Sequence, residues 1–206
     1  LYISNIYQLQ NKNKEINYNP FSKNLPDSSI NLLNQNISSL WYNRNNKKFS
    51  LLFSNKQSVV QNSFSYGTDR QEILENKIES NFLLFRKLQN NISFTFGEKE
   101  NISDFFSSKN YQYKYQNFSE NILLITNKTS RFSLDYSFKS KNVLEEEVDL
   151  TLHEIGVELD RTISEKSNFQ SHCKYINIKY SGSDNSILNY ELMEGLNDGN
   201  NFVWGI

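Results

Sequence analysis

Alanine is absent from the 206 residues, and cysteine and methionine occur once each. A helical bundle of this size without alanine, the best helix former, would be unusual. One cysteine excludes a disulfide framework and a cysteine-based zinc site. Histidine occurs twice, at His153 and His172, against the three or four ligands a metal site needs. The charges nearly cancel, at a formal net −1, so the basic footprint of a nucleic-acid binder is missing. No run approaches the roughly 18 apolar residues of a spanning helix. Both prolines, Pro20 and Pro26, fall in Tyr18–Asn36, a stretch with no clear period that reads as a long loop.

What the chain does have is aromatic residues in alternation. Fifteen Phe and twelve Tyr are too many for a disordered segment, which is poor in aromatics and rich in net charge. Ile92, Phe94 and Phe96 alternate with polar residues. So do Tyr111, Tyr113 and Tyr115; Phe132, Leu134, Tyr136 and Phe138; Val148, Leu150 and Leu152; and Ile176, Ile178 and Tyr180. A period of two puts each set on one face of a strand. Turn signals rich in Asn, Asp and Gly separate the runs, at 45–46, 55–56, 89–91, 127–128, 181–185 and 197–200. Their spacing predicts an all-β fold, an antiparallel hairpin meander of about 10–12 strands. The expected organisation is a loop-rich lead-in over 1–36 followed by the meander over 37–206.

Two stretches compete with this pattern. Leu74, Ile78, Phe82, Phe85 and Leu88 follow helical spacing, and Asp69 with Glu72 could form a capping box. Leu144, Val148, Leu152, Ile155 and Leu159 do the same, but among β-branched residues and with Gly156. Both stretches read as strands. In the second, the apolar frame changes from even to odd positions, which predicts a bulge or turn near His153-Glu154.

A one-sided sheet of this size must cover its apolar face. It could pack on a second sheet, or close into a membrane barrel with lipid outside and a polar lumen. Strands near the 9–11 residues that span a tilted bilayer, the aromatic supply and the Asn-, Gln-, Ser- and Lys-rich opposite faces favour the barrel. A mean hydropathy of −0.66 favours a soluble surface or periplasmic sheet that binds a protein or glycan. A first residue other than Met and a last run that stops on apolar residues predict a fragment of a longer chain.

Three blocks occur in order: GEKENISDFFSSKNY from Gly97 to Tyr111, HEIGVELD from His153 to Asp160, and YELMEGLNDGNNFVW from Tyr190 to Trp204. Together they resemble the C-terminal region of large β-rich outer-membrane proteins of Bacteroidota. The resemblance covers the last half to two-thirds of the chain and rests on turn-and-strand patterns. It implies an outer-membrane location and a sheet of long hairpins, and it implies no reaction. The implied partners are the lipid bilayer of the outer membrane and an envelope protein, with no nucleic acid and no cofactor.

Little in the sequence carries catalytic chemistry, and the expectation is a protein that is not an enzyme. His172 and Cys173 are adjacent, so on a strand they face opposite ways and cannot chelate together. No Gly-x-Ser-x-Gly elbow accompanies the many serines. Glu145-Glu146-Glu147 follow a turn and read as a solvated loop tip. Glu154 and Glu158 share parity with Gly156 and form a candidate pair on a hydrated face, the one arrangement here that glycoside hydrolysis could use. The Asn-x-Ser/Thr sequons at Asn36, Asn91, Asn101, Asn117 and Asn127 are as many as chance supplies in so Asn- and Ser-rich a chain. Gly195–Gly199 lacks the Lys and following helix of a phosphate loop; it reads as a turn pairing Tyr190–Met193 with Phe202–Trp204.

Overall fold

The computed structural model describes residues 1–15, 28–46, 48–64, 67–84, 87–104, 110–127, 129–143, 148–164, 167–182, 193 and 196–205. They form one ten-stranded sheet: β1 (Tyr2–Glu15), β2 (Ser28–Tyr42), β3 (Phe49–Phe64), β4 (Gly67–Leu84), β5 (Leu88–Ser103), β6 (Tyr111–Asn127), β7 (Ser130–Val143), β8 (Asp149–Ser164), β9 (Ser167–Ser181) and β10 (Gly199–Gly205). Each strand pairs antiparallel with the next, so strand order in space is strand order in sequence. The all-β meander expected from alternation is what forms, with ten strands. The sheet is open: β1 and β10 each have a neighbour on one side only among the described residues.

Several expectations need correction. The lead-in over 1–36 holds β1 and most of β2, so the meander begins at Tyr2. Asn-rich polar runs there satisfy their backbone by pairing with each other, from Tyr2↔Trp41 to Glu15↔Ser28. Residues 18–27 of the expected loop lie outside the described residues. Asn55-Lys56 and Gln89–Asn91 lie inside β3 and β5 rather than in turns. Their side chains find cross-strand partners instead: the Asn55 amide donates to Asn76 Oδ1 at 2.9 Å, and the Asn90 amide donates to Glu120 Oε1 at 2.9 Å. β10 pairs with β9, through Gly199↔Ile178 to Gly205↔His172; of the expected partner segment Tyr190–Met193, residues 190–192 lie outside the described residues. Most strands run to 14–18 residues, longer than expected.

The described parts of both ambiguous stretches, 69–84 in β4 and 149–159 in β8, are strands, and neither needs a bulge at its centre; Phe85 and Leu144 lie outside the described residues. The β7–β8 register runs unbroken from Asn142↔Asp149 to Ser130↔Arg161. Register shifts occur at 125–127 and 162–164, beside the turns. The change of frame in β8 has another origin. Leu150 and Leu152, continued by Val148 just before the strand, lie on one face, and Ile155, Val157 and Leu159 lie on the other. Each face is apolar over a different half of the strand, and the union of the two sets imitates helical spacing. In β4, Leu74, Ile78 and Phe82 are four apart, which in a strand is simply one face.

The meander gives the sheet two unlike ends. Connections at 43–48, 85–87, 128–129 and 165–166 join strands at the short-turn end. Those at 16–27, 104–110, 144–148 and 182–198 belong to the opposite, long-loop end, which also has one connection of two residues, 65–66. The buried core is small and sits on one face at the long-loop end: Tyr113, Val143, Val148, Leu150, Leu152, Ile176 and Ile178. Met193 and Leu196, from the β9–β10 connection, pack against it with Tyr111, Tyr115 and Tyr180.

Candidate functional site: a two-faced wall

Directly paired residues of adjacent strands share a face, so the registers define both surfaces. Opposite the buried core, toward the short-turn end, the sheet carries an apolar band. One cross-strand row reads Phe53, Ile78, Phe94, Phe118, Phe138 and His153. The next reads Leu51, Ser80, Ile92, Glu120, Tyr136, Ile155, Tyr175 and Phe202. A third reads Phe49, Phe82, Asn90, Ile122, Leu134, Val157, Cys173 and Trp204. The last row, by the turns, reads Leu84, Leu88, Leu124, Phe132 and Leu159. Aromatic contacts run along the rows, as in Phe49–Phe82 at 5.3 Å and Tyr175–Phe202 at 5.1 Å between centroids, and between them, as in Phe118–Tyr136 at 6.2 Å.

Nothing among the described residues covers this band. Ile155 is 48% exposed and Trp204 74%, against 1% for Leu150 on the other face. The exposed large apolar side chains of β3–β7 (Leu51, Phe53, Leu74, Ile78, Leu84, Phe96, Ile102, Phe132 and Leu134) all lie on the band face. A continuous apolar band across eight strands, β3 to β10, is more than the scattered single apolar side chains that a soluble monomer ordinarily leaves bare. Ser80 and one hydrogen-bonded polar pair, Glu120 with Asn90, interrupt it.

Behind the band, the other face is polar. Its rows read Lys77, Thr95, Asn117 and Lys139; Glu79, Ser93, Ser119, Ser137 and Glu154; and Asn81, Asn91, Asn121, Asp135, Gly156 and Lys174. These side chains bond both across and along the strands. Asn121 donates to Ser133 Oγ at 2.9 Å, and Ser133 Oγ donates to Asp135 at 3.0 Å. Lys174 Nζ meets Glu154 at 2.9 Å, and Lys77 meets Glu79 at 2.6 Å. Higher up, the Tyr115 hydroxyl reaches over β5 to donate to Glu75 at 2.9 Å. Gly97 makes that possible, because a Cβ there would stand 2.8 Å from the Tyr115 oxygen and against the Leu74 carbonyl.

The residues singled out from the sequence are dispersed. His153 is on the band face, with its Nδ1 3.2 Å from the Tyr136 hydroxyl and its ring 5.0 Å from Phe138. His172 is on the polar face beside Gly205, and Cys173 is exposed on the band face, so the two do point apart. Glu145-Glu146-Glu147 lie outside the described residues. Glu154 and Glu158 share the polar face, but four strand positions separate them by about 13 Å. That exceeds the roughly 5–9.5 Å of a glycosidase pair, and Glu154 is bound to Lys174. No three His, Cys, Asp or Glu among the described residues are grouped to hold a metal ion.

Sequence reading missed the Tyr115–Gly97–Glu75 strap. It also missed the clip in which Thr68 donates its N–H and its hydroxyl to Asp104, each at 2.8 Å. Both join residues more than thirty positions apart, and only strand register brings them together. No model of a known protein family matches the chain, and neither does any curated protein.

Proposed function

We propose that this chain forms part of the wall of a bacterial outer-membrane β-barrel, of the Bacteroidota type its turn blocks resemble. The band face meets lipid, the polar face lines a hydrated interior, and the role is structural or transport rather than catalytic. The carrying observation is the uncovered apolar band backed by a hydrogen-bonded polar face. A soluble sheet would place its apolar side against protein, whereas here the larger apolar side is bare.

Dimensions support the reading. Along β4 to β8 the band runs for seven to eleven residues, about 20–33 Å. At a tilt of 35–45° that becomes about 15–25 Å along the membrane normal, up to the band height of such barrels. Strands of 14–18 residues exceed the 9–11 that lipid requires, and the surplus lies at the long-loop end, beyond the aromatic rows. Short turns on one side and longer loops on the other are also the barrel pattern.

One observation favours the rival reading, a soluble surface or periplasmic sheet with a protein or glycan partner: the Glu120 carboxylate sits inside the band. The two tryptophans separate the readings. Trp204 is on the band face and Trp41 is on the polar face. In vesicles containing bromine-labelled acyl chains, Trp204 fluorescence should be quenched strongly and Trp41 little, each read in the Trp→Phe variant of the other. A chain that is monomeric and soluble without detergent, with neither tryptophan quenched, favours the soluble sheet.

A further inference from the structure

Just above the aromatic row, the band face is hollowed into a groove of about 410 Å³ across β4–β7. Its floor is apolar, Leu74 and Phe96, and the Phe96 ring lies 5.6 Å from that of Phe94 in the band below. Its walls are Glu98, Lys114, Gln116 and Ser140 with neighbouring amides. The groove therefore begins in the band and ends among hydroxyls and amides.

Charge decides what fits. The lining holds one acid and one base, Glu98 and Lys114, directly opposite each other on β5 and β6. Such a site has no net charge to attract a phosphate or an ammonium. Glu98 already accepts from the Gln112 amide. The side chains of Lys114, Gln116 and Ser140 have no hydrogen-bond or ion-pair partner among the described residues, so their polar atoms are open. A flat aromatic ring beside unspent neutral polar groups suits a ligand with an apolar C–H face and a rim of hydroxyls. The volume, within the ordinary range of small-molecule sites, admits one or two sugar rings.

We propose that this groove seats the uncharged sugar headgroup of a glycolipid. The sugar lies with its C–H face on Phe96, its hydroxyls meet Gln116, Ser140 and Lys114, and the acyl chains run down the band. The proposal rests on the membrane reading above, since the lipid source follows from the groove opening onto the band.

The test uses the full chain in phosphatidylcholine vesicles doped with monoglucosyl diacylglycerol, plain diacylglycerol or phosphatidylglycerol, with bound lipid counted by native mass spectrometry. Glucosyl lipid should be enriched over both others. Phe96→Leu, which keeps the floor apolar, and Gln116→Leu should each lower that enrichment about fivefold while strand content and vesicle insertion stay unchanged. Equal retention of the three lipids, or enrichment unaffected by Phe96→Leu, overturns the site. Displacement of the glucosyl lipid by free glucose makes it a soluble-sugar site and overturns the lipid source. A chain that never enters the vesicles sinks this proposal together with the membrane reading; insertion without sugar preference sinks this one alone.

Discussion

Strand β8 carries two apolar stretches that obey the same alternation and meet opposite fates. At the long-loop end, Leu150 and Leu152 are buried at 1% and 2% exposure, under a cap that includes Met193 and Leu196. At the short-turn end, Ile155, Val157 and Leu159 face the other way and stay bare. Alternation says which residues share a face, but it does not say what will cover that face. In one case the chain covers its own apolar surface. In the other, the chain leaves the covering to its surroundings, which we propose are lipid.

The sharpest way to break this contrast is to truncate one side chain in each region. Leu150→Ala should destabilise the sheet by about 2–5 kcal/mol, because the closed cluster around it can relax only partly. In detergent, Ile155→Ala should cost much less, since mobile acyl chains refill the space. Equal losses, measured by denaturant titration in the same detergent, would mean that the band is packed against protein after all.

A charge tests the other side of the comparison. Ile155→Arg should weaken bilayer insertion by about 2–4 kcal/mol if that position sits near the membrane midplane. Ser137→Arg, on the polar face one strand away, should leave insertion nearly unchanged. Vesicle flotation of the two variants gives the answer, and similar partitioning would remove the distinction between faces.

How much of this was legible beforehand follows from range. Period-two alternation is local, so the all-β class, the antiparallel meander and the opposite facing of His172 and Cys173 could be read from neighbouring residues. The frame change in β8 was visible too, but its cause was not, because a bulge and a swap of faces leave the same local trace. The Asn-rich strand interiors carry the same local signal as turns, and an asparagine's preference for turns yields when a cross-strand partner such as Asn76 or Glu120 satisfies it. The groove at Phe96 and the strap at Gly97 depend on which strands are neighbours and in what register. No single segment contains that information.

The strap allows an intermediate test of the long-loop half. Gly97→Val would push against the Leu74 carbonyl and displace the Tyr115 ring from Glu75, at a cost of about 1–3 kcal/mol. Tyr115→Phe, which loses only the hydrogen bond, should cost about 1 kcal/mol. If the two variants are equally stable in thermal unfolding, Gly97 is not there to admit the ring.

The smallest effect should separate the two ends of the sheet by their access to water. Asp104 lies just past β5 and is fully solvated; the hydroxyl and N–H of Thr68 hold its carboxyl below the ordinary carboxylate value. A lowered value in the folded state means that ionisation favours the clip. Its contribution is complete above the unfolded value of about 3.9 and disappears as pH falls through the lower folded one. Acid should therefore loosen the β4–β5 junction at Thr68 and Asp104, where the Asp104 N–H also donates to the Thr68 carbonyl at 2.9 Å. Amide exchange there, corrected for its intrinsic pH dependence, should lose protection below about pH 3.9, and Asp104→Ala should remove the pH response. At Ile78↔Phe94, in the middle of the band, protection in detergent should stay constant over the same interval. A uniform acid response along β4 would instead mean that water reaches the band as freely as it reaches the loops, and the lipid-facing assignment would fail with it.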